Sequence, residues 1–453
     1  MNTKPNILLI MDDQHRFDYL GCAGADFIQT PNIDRLAARG MRFTNCCVNA
    51  PVCAPMRVAL ATGLEPHRFG GTGNNVFLPL SRRTYYQRLR DVGYRVGCCG
   101  KLDLAKPAGK NSDGARPPCF AWGFTHPIEC EGKMHAGQGG DIPFGPYSEY
   151  LHSKGMLQKF SDDYSRRRAS NYALSAWDSV LDTEDFEDTY IGRRSASWID
   201  EIRDDYPWHM YVSFVGPHDP FDPPTEYADK YRNAEMPPPI RDSLEGKPRT
   251  AHARQVGATD DQILDCRRQY CAATTLIDDQ VGAIIDAVEG RGMLDNTYIV
   301  FSSDHGEMLG DHGMFTKSVP YESSLRVPLI VAGPGIEGGQ VSDAIVELID
   351  VNATICDLAG LGPQEAIDAR SFRPVLEAGT DEHRQEALST LRHFRCIRTK
   401  RWKYVENEND ITELYDLGND PSELNNKAEE ETEVLREMRG RLGTRLLEGQ
   451  WNR

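Results

Sequence analysis

The chain has 453 residues, long enough to bury a large core and to hold more than one domain. A net charge of -17 argues against nucleic acid or an anionic membrane as partner, while a few local cations could still hold a small anionic ligand. The twelve cysteines are scattered and include no Cys-x-x-Cys, so neither a zinc ribbon, a dithiol redox site nor a disulfide framework is indicated.

No apolar run is long enough to cross a membrane. The first strand starts close to Met1 without a cleavable leader before it, so the sequence as written predicts a cytoplasmic protein, or a periplasmic one if a leader has been removed. That strand, Ile7-Leu8-Leu9-Ile10-Met11, is a continuous apolar run of the kind buried on both faces of a parallel sheet. It ends in Asp12-Asp13, two carboxylates at the strand edge where ligands bind in open α/β sheets, which points to a metal site. Thr30 to Gly40 reads as a helix capped by Thr30, opened by Pro31 and closed by Gly40.

Cys53-Ala54-Pro55-Met56-Arg57 is the most informative stretch. Pro55 suits the first turn of a helix, which places Cys53 at the helix's positive end, where an anion is favoured. Arg57, four residues on, is near the same face and able to address what the cysteine holds. A turn-rich loop follows. It contains His67, read as structural, and Asn74, read as a candidate substrate contact. Thr84 to Asp91 is a short helix, and the strand from Tyr94 leads to Gly100-Lys101-Leu102-Asp103.

Residues 105–189 carry mixed charge, aromatics, glycine and proline, and are read as the wall of the substrate pocket. His126, His135 and Trp177 lie there without an assigned role. Tyr190 to Ile202 is predicted helical, and Met210 to Val215 is a buried strand ending in Gly216-Pro217-His218-Asp219-Pro220. A histidine held between two prolines at a strand end suits a proton donor. Ile277, Val281, Ile284 and Val288 mark one helix face. The strand Thr297 to Phe301 then ends in Ser303-Asp304-His305-Gly306, with Lys317 downstream. Val327 to Val331 is a strand and Val351 to Ala359 a helix. Beyond about residue 375, short strand candidates at Cys396–Arg398, Trp402–Tyr404 and Glu413–Tyr415 precede a charged terminal helix from Ala428. This divides the chain into a catalytic domain over 1–375 and a C-terminal subdomain over 376–453.

Cys53-x-Pro55-x-Arg57 resembles the signature of the type I sulfatases, formylglycine-dependent enzymes of the alkaline phosphatase superfamily. The resemblance extends over almost the whole chain. It takes in Asp12-Asp13, Gly100-Lys101, Pro217-His218-Asp219-Pro220, Ser303-Asp304-His305-Gly306, Lys317 before Tyr321-Glu322, and Glu413-Leu414-Tyr415-Asp416. It implies an α/β fold with a large mixed, mostly parallel central sheet sandwiched by helices, plus a smaller C-terminal antiparallel sheet and helix.

By the same resemblance, Cys53 is oxidised to formylglycine by a generating enzyme. Asp12, Asp13, Asp304, His305 and the modified Cys53 hold one divalent cation. Calcium is the first expectation, with magnesium or manganese as alternatives because His305 supplies nitrogen. Arg57 favours the alkoxide of the formylglycine diol, Lys101 and Lys317 bind the sulfate, and His218, with Lys317, protonates the leaving alcohol. Relatives place histidine where this chain has Asp103, so Asp103 is expected within reach of the diol. The implied activity is hydrolysis of a sulfate ester of a saccharide. Phosphodiester or phosphonate monoester hydrolysis is the alternative, and a non-catalytic binding protein with unmodified Cys53 is a third reading. Sequence alone leaves the oligomeric state open.

Overall fold

The computed structural model describes residues 4–106 and 118–451. Its main sheet is built from β1 (Asn6–Asp13), β2 (Met41–Cys47), β3 (Arg95–Gly100), β4 (His126–Glu129), β5 (Trp208–Pro217), β6 (Thr297–Ser303), β7 (Leu329–Ala332) and β8 (Gln340–Glu347), in the order β4-β3-β5-β1-β6-β7-β2-β8. β7 runs antiparallel to β6 and β2, and the other pairings are parallel. The fold is therefore mixed and mostly parallel, as expected.

The two faces of the sheet are covered by different helices. Ile7, Leu9 and Met11 pack on one face with α2 (Cys53–Thr62), α3 (Tyr85–Asp91) and the helix Asp350–Leu358. Leu8 and Ile10 pack on the other face with α1 (Pro31–Ala38), the helix Glu187–Glu201 and the long helix Asp260–Gly290. Alternation along β1 is that of a strand buried on both sides.

A second, antiparallel sheet, β12-β11-β10-β9, comprises β9 (Ala387–Leu391), β10 (Phe394–Arg398), β11 (Trp402–Asn407) and β12 (Glu413–Asp416). The terminal helix Thr432–Trp451 packs on it through Met438 and Leu442. Buried Glu322 joins the sheet to the main body by pairing with Arg398 at 2.9 Å and Lys403 at 2.7 Å. No helix among the described residues is long and apolar enough to cross a membrane.

Several local expectations change. Thr30 does not cap α1 with its side chain. Its hydroxyl meets Asp34, and the first free N–H groups of α1 donate instead to Asp278, from Ile33 at 2.8 Å and Asn32 at 3.1 Å. Gly40 is not a left-handed helix stop. It is required because a Cβ there would lie 2.1 Å from the Val331 carbonyl oxygen. Within 105–189 the described part is not irregular, since helices span Pro146–Ser153 and Leu157–Ala169. Residues 107–117 of that stretch lie outside the described residues. Trp177 stacks under Arg167 at 4.4 Å and His126 is exposed, so both have surroundings of their own away from the site described next.

Candidate active site

Four neighbouring parallel strands, β3, β5, β1 and β6, end at the same edge of the sheet, and each delivers a charged group there. β1 ends at Asp13, β3 runs into Lys101, β5 into His218, and β6 into Asp304-His305. Gly100 makes the β3 exit possible. Its φ is 108°, and a Cβ would sit 1.8 Å from the Ser213 carbonyl oxygen. The Lys101 amide can then donate to that oxygen at 3.1 Å.

α2 begins at Cys53 itself, and every residue of the helix is buried. Among the described residues, Asp13, Cys53, Asp304 and His305 form a group whose ligand atoms all lie within 4.8 Å of one another. Cys53 Sγ is 3.1 Å from His305 Nε2, which is 3.7 Å from Asp13 Oδ1 and 3.6 Å from Asp304 Oδ1. Burial pushes the Asp304 carboxyl up, and neighbouring Asp13 and Cys53 push the same way against Arg57. A buried group of two carboxylates, a thiol and an imidazole offers the oxygen and nitrogen donors that fit a divalent cation.

Asp12 lies beside that group rather than within it. Its Oδ2 meets His15 Nδ1 at 2.5 Å, while its Oδ1 is buried without a hydrogen-bond partner, an oxygen still open to a cation. The register of β1 shifts between Met11 and Asp13, at the end of the strand that carries both aspartates.

Gln14 is a site residue that sequence reasoning missed. It is fully buried with a φ of 74°, unusual for a non-glycine. Its backbone N–H donates to Asp304 Oδ1 at 3.2 Å, and its side-chain amide donates to Asp219 Oδ1 at 3.0 Å and to Glu307. Its Oε1 accepts from Lys317 Nζ. Only the unusual backbone angle, invisible in sequence, distinguishes it from an ordinary loop glutamine.

The cations occupy a second arc around Cys53. Lys101 Nζ contacts Asp13 Oδ2 and lies 3.1 Å from Asp103. Lys317 Nζ contacts His218 Nε2. His218 Nδ1 lies 2.6 Å from the Asp219 carbonyl oxygen, which orients the ring with Nε2 toward Lys317. Burial and Asp13 push the Cys53 thiol up, but Lys101, Lys317 and His305 outweigh them and hold it well below its ordinary value. Burial likewise opposes ionisation of Asp13, yet Lys101, His218, Arg57 and His305 hold its carboxyl well below the usual range. A centre that stabilises negative charge on residue 53 is suited to binding an anion beside it.

Three expected roles change with the geometry. Arg57 does not face outward to a ligand. Its Nε donates to Asp304 Oδ2 at 2.7 Å, its Nη1 to the Lys101 carbonyl at 2.7 Å, Ser213 Oγ at 2.6 Å and Tyr211 at 3.3 Å, and its Nη2 to Asp13 at 3.4 Å. It is a positioning residue. Asp103 was expected at residue 53, and its carboxylate instead contacts Lys101 and Lys106. Asn74 was expected on the substrate, and its Oδ1 instead accepts the Ala54 N–H at 3.2 Å, satisfying the start of α2. His67 stays outside the centre, 3.5 Å from Glu65.

The family model described as Sulfatase matches residues 5–361. A second model, described as N-sulphoglucosamine sulphohydrolase, C-terminal, matches residues 310–449. The choline-sulfatase of Rhizobium meliloti is 30% identical over 453 residues, covering 94% of this chain and 83% of the relative. The N-acetylglucosamine-6-O-sulfatase of Bacteroides thetaiotaomicron is 28% identical over 463 residues, covering 93% and 82%. Among solved structures, the phosphonate monoester hydrolase of Agrobacterium radiobacter superposes with a TM-score of 0.85 at 25% identity, covering 98% of this chain and 96% of that one.

Proposed function

The chain belongs to the sulfatase family and is a sulfuric ester hydrolase, and from that premise we propose that it acts on a sulfated saccharide through a formylglycine made from Cys53 and one divalent cation. The observation that carries the reading is the set of charges gathered around Cys53: Asp13, Asp304 and His305 clustered with it, and Lys101 and Lys317 close enough to hold its thiol low. The saccharide is supported by the relative named for N-acetylglucosamine 6-O-sulfate esters.

Asp12, Asp13, Asp304, His305 and residue 53 would hold the cation, calcium before magnesium or manganese, which would supply positive charge beside the nucleophile and the sulfate. Formylglycine hydrate would supply two hydroxyls, one to attack sulfur and one whose deprotonation releases the sulfate. Lys101 and Lys317 bind the sulfate oxygens and the charge that grows on them. Arg57 keeps Asp304, Asp13 and the Lys101 backbone in place. The Lys317–His218 pair shares a proton between Nζ and Nε2 and delivers it to the leaving alcohol.

A second reading, phosphonate monoester or phosphodiester hydrolysis, is favoured by the solved relative named for the former activity. Parallel assays on 4-nitrophenyl sulfate, glucosamine 6-sulfate, a phenylphosphonate monoester and bis(4-nitrophenyl) phosphate distinguish the two, together with peptide mass spectrometry of residue 53 and exhaustive chelation. We expect formylglycine in the active protein, loss of turnover on chelation, and sulfate esters as the best substrates. Unmodified Cys53 in fully active enzyme, or a preference for the phosphorus esters, overturns the proposal.

A further inference from the structure

A cavity of about 200 Å³ lies between the loop after α2 and the turn joining β9 to β10. His67, Gly71 and Thr72 line it from the loop, and Arg392, Arg395 and Glu408 from the small sheet. Among the described residues, neither Arg392 nor Arg395 forms an ion pair with a carboxylate, and Glu408 is the cavity's single acidic residue. The cavity wall carries two arginines and one glutamate, an excess of positive charge on a chain of net charge -17, while Glu406, the partner of Arg395 across β10 and β11, does not line it. Guanidinium forks are matched to sulfate and carboxylate oxygens.

The cavity is tied to the catalytic centre at both walls. On the loop side, Thr72 is two residues from Asn74, whose Oδ1 accepts the N–H of the residue following Cys53. Standard backbone and side-chain lengths put the Thr72 Cα within roughly 16 Å of the Cys53 Cα. On the sheet side, the Arg392 N–H donates to the Thr72 carbonyl at 3.3 Å, and the adjacent His393 meets the Ser318 carbonyl at 3.1 Å, one residue beyond Lys317. The hairpin turn therefore sits on the rim, with Arg392 on the cavity side and His393 toward Lys317.

We propose that this cavity is a second anion-binding subsite, which takes a sulfate or carboxylate carried by a sugar adjoining the one that is desulfated. The substrate is then an oligosaccharide with at least two acidic groups, one placed at Cys53 and one between Arg392 and Arg395. The inference rests on the saccharide reading above and adds where the rest of the chain of sugars lies.

The test compares wild type with R392Q/R395Q and, separately, with E408Q. All three positions are on the surface loop and sheet, away from the core clusters, so folding is checked simply by thermal melting. The probes are a trisulfated heparin disaccharide and 4-nitrophenyl sulfate, whose single acidic group cannot occupy both places. We expect the selectivity, kcat/KM for the disaccharide over that for 4-nitrophenyl sulfate, to fall at least tenfold in R392Q/R395Q and to rise a few-fold in E408Q. Calorimetric affinity for the disaccharide in a C53A background should move the same way. Unchanged selectivity and affinity in both variants, with a wild type that does bind the disaccharide, overturns the subsite alone. A wild type that neither binds nor cleaves the disaccharide while it turns over another ester overturns the saccharide reading, and the subsite with it.

Discussion

Arg57→Lys is the most direct test of how the centre is held together. The guanidinium makes five contacts inside a helix that is buried all round. A lysine ammonium has three N–H groups and no planar fork, so at least two of the five acceptors lose their donor. The Lys101 carbonyl keeps the Ser213 hydroxyl and Asp13 keeps Lys101 Nζ, so the buried acceptor that loses most is Asp304 Oδ2, at about 2 kcal/mol. Unfolding entropy of about 2.1 cal/mol/K per residue comes to roughly 1 kcal/mol/K for this chain, so the melting temperature should drop by about 2 °C. Asp304 and the Lys101 backbone lose their anchor at the same time, and a displacement of about 1 Å is worth roughly a hundredfold in rate. Calorimetry, metal content by mass spectrometry and kcat/KM on 4-nitrophenyl sulfate make the assay. A variant with a raised KM but an unchanged melting temperature and metal content would refute the reasoning, because it would mean that Arg57 touches substrate rather than its neighbours.

Removing the proton-delivering pair should depend on the leaving group. Lys317→Ala and His218→Asn should each slow sugar sulfates by about 10² to 10⁴ and slow 4-nitrophenyl sulfate far less, since a good leaving group needs little protonation; equal losses on both substrates would count against the pair. Asp103→Asn removes a partner of Lys101 and Lys106 rather than a base at residue 53, so kcat should fall less than about tenfold, the scale of a displaced positioning group rather than a lost base. Accumulation of a sulfated enzyme in that variant would restore the direct role. Asp311 gives a pH prediction. Burial would raise its carboxyl, but Arg16 at 2.6 Å and Arg267 at 2.8 Å hold it at about 2 against an ordinary 3.8. The stability it contributes, roughly 2 kcal/mol, is present above pH 4 and lost as pH falls through 2. Urea midpoints between pH 7 and pH 2.5 should show a flatter acid limb in Asp311→Asn, and identical slopes in the two proteins would refute it.

Much of the molecule was legible in the sequence because it is encoded within a few residues. Apolar runs followed by charged groups located β1, β3, β5 and β6 and the edge on which they act, and the helix of Ile277, Val281 and Ile284 was recognisable from its spacing. The Cys53-x-Pro55-x-Arg57 pattern placed the centre at the start of a helix, where the structure has it. β2 and β8 were not foreseen, since their register is set by strands far along the chain rather than by a distinctive local pattern. The tertiary structure decided which charge answers which. Asp278, not Thr30, satisfies the start of α1, Arg57 turns inward to Asp304, and Asp103 is drawn onto Lys101 and Lys106. One oxygen of Asp12 is taken by His15, and Gln14 enters the centre through a backbone angle no residue type announces. Secondary structure follows local sterics and periodicity. A buried charge is compensated by whichever partner the fold brings within reach, and for Asp278 and Arg57 those partners are more than two hundred residues away.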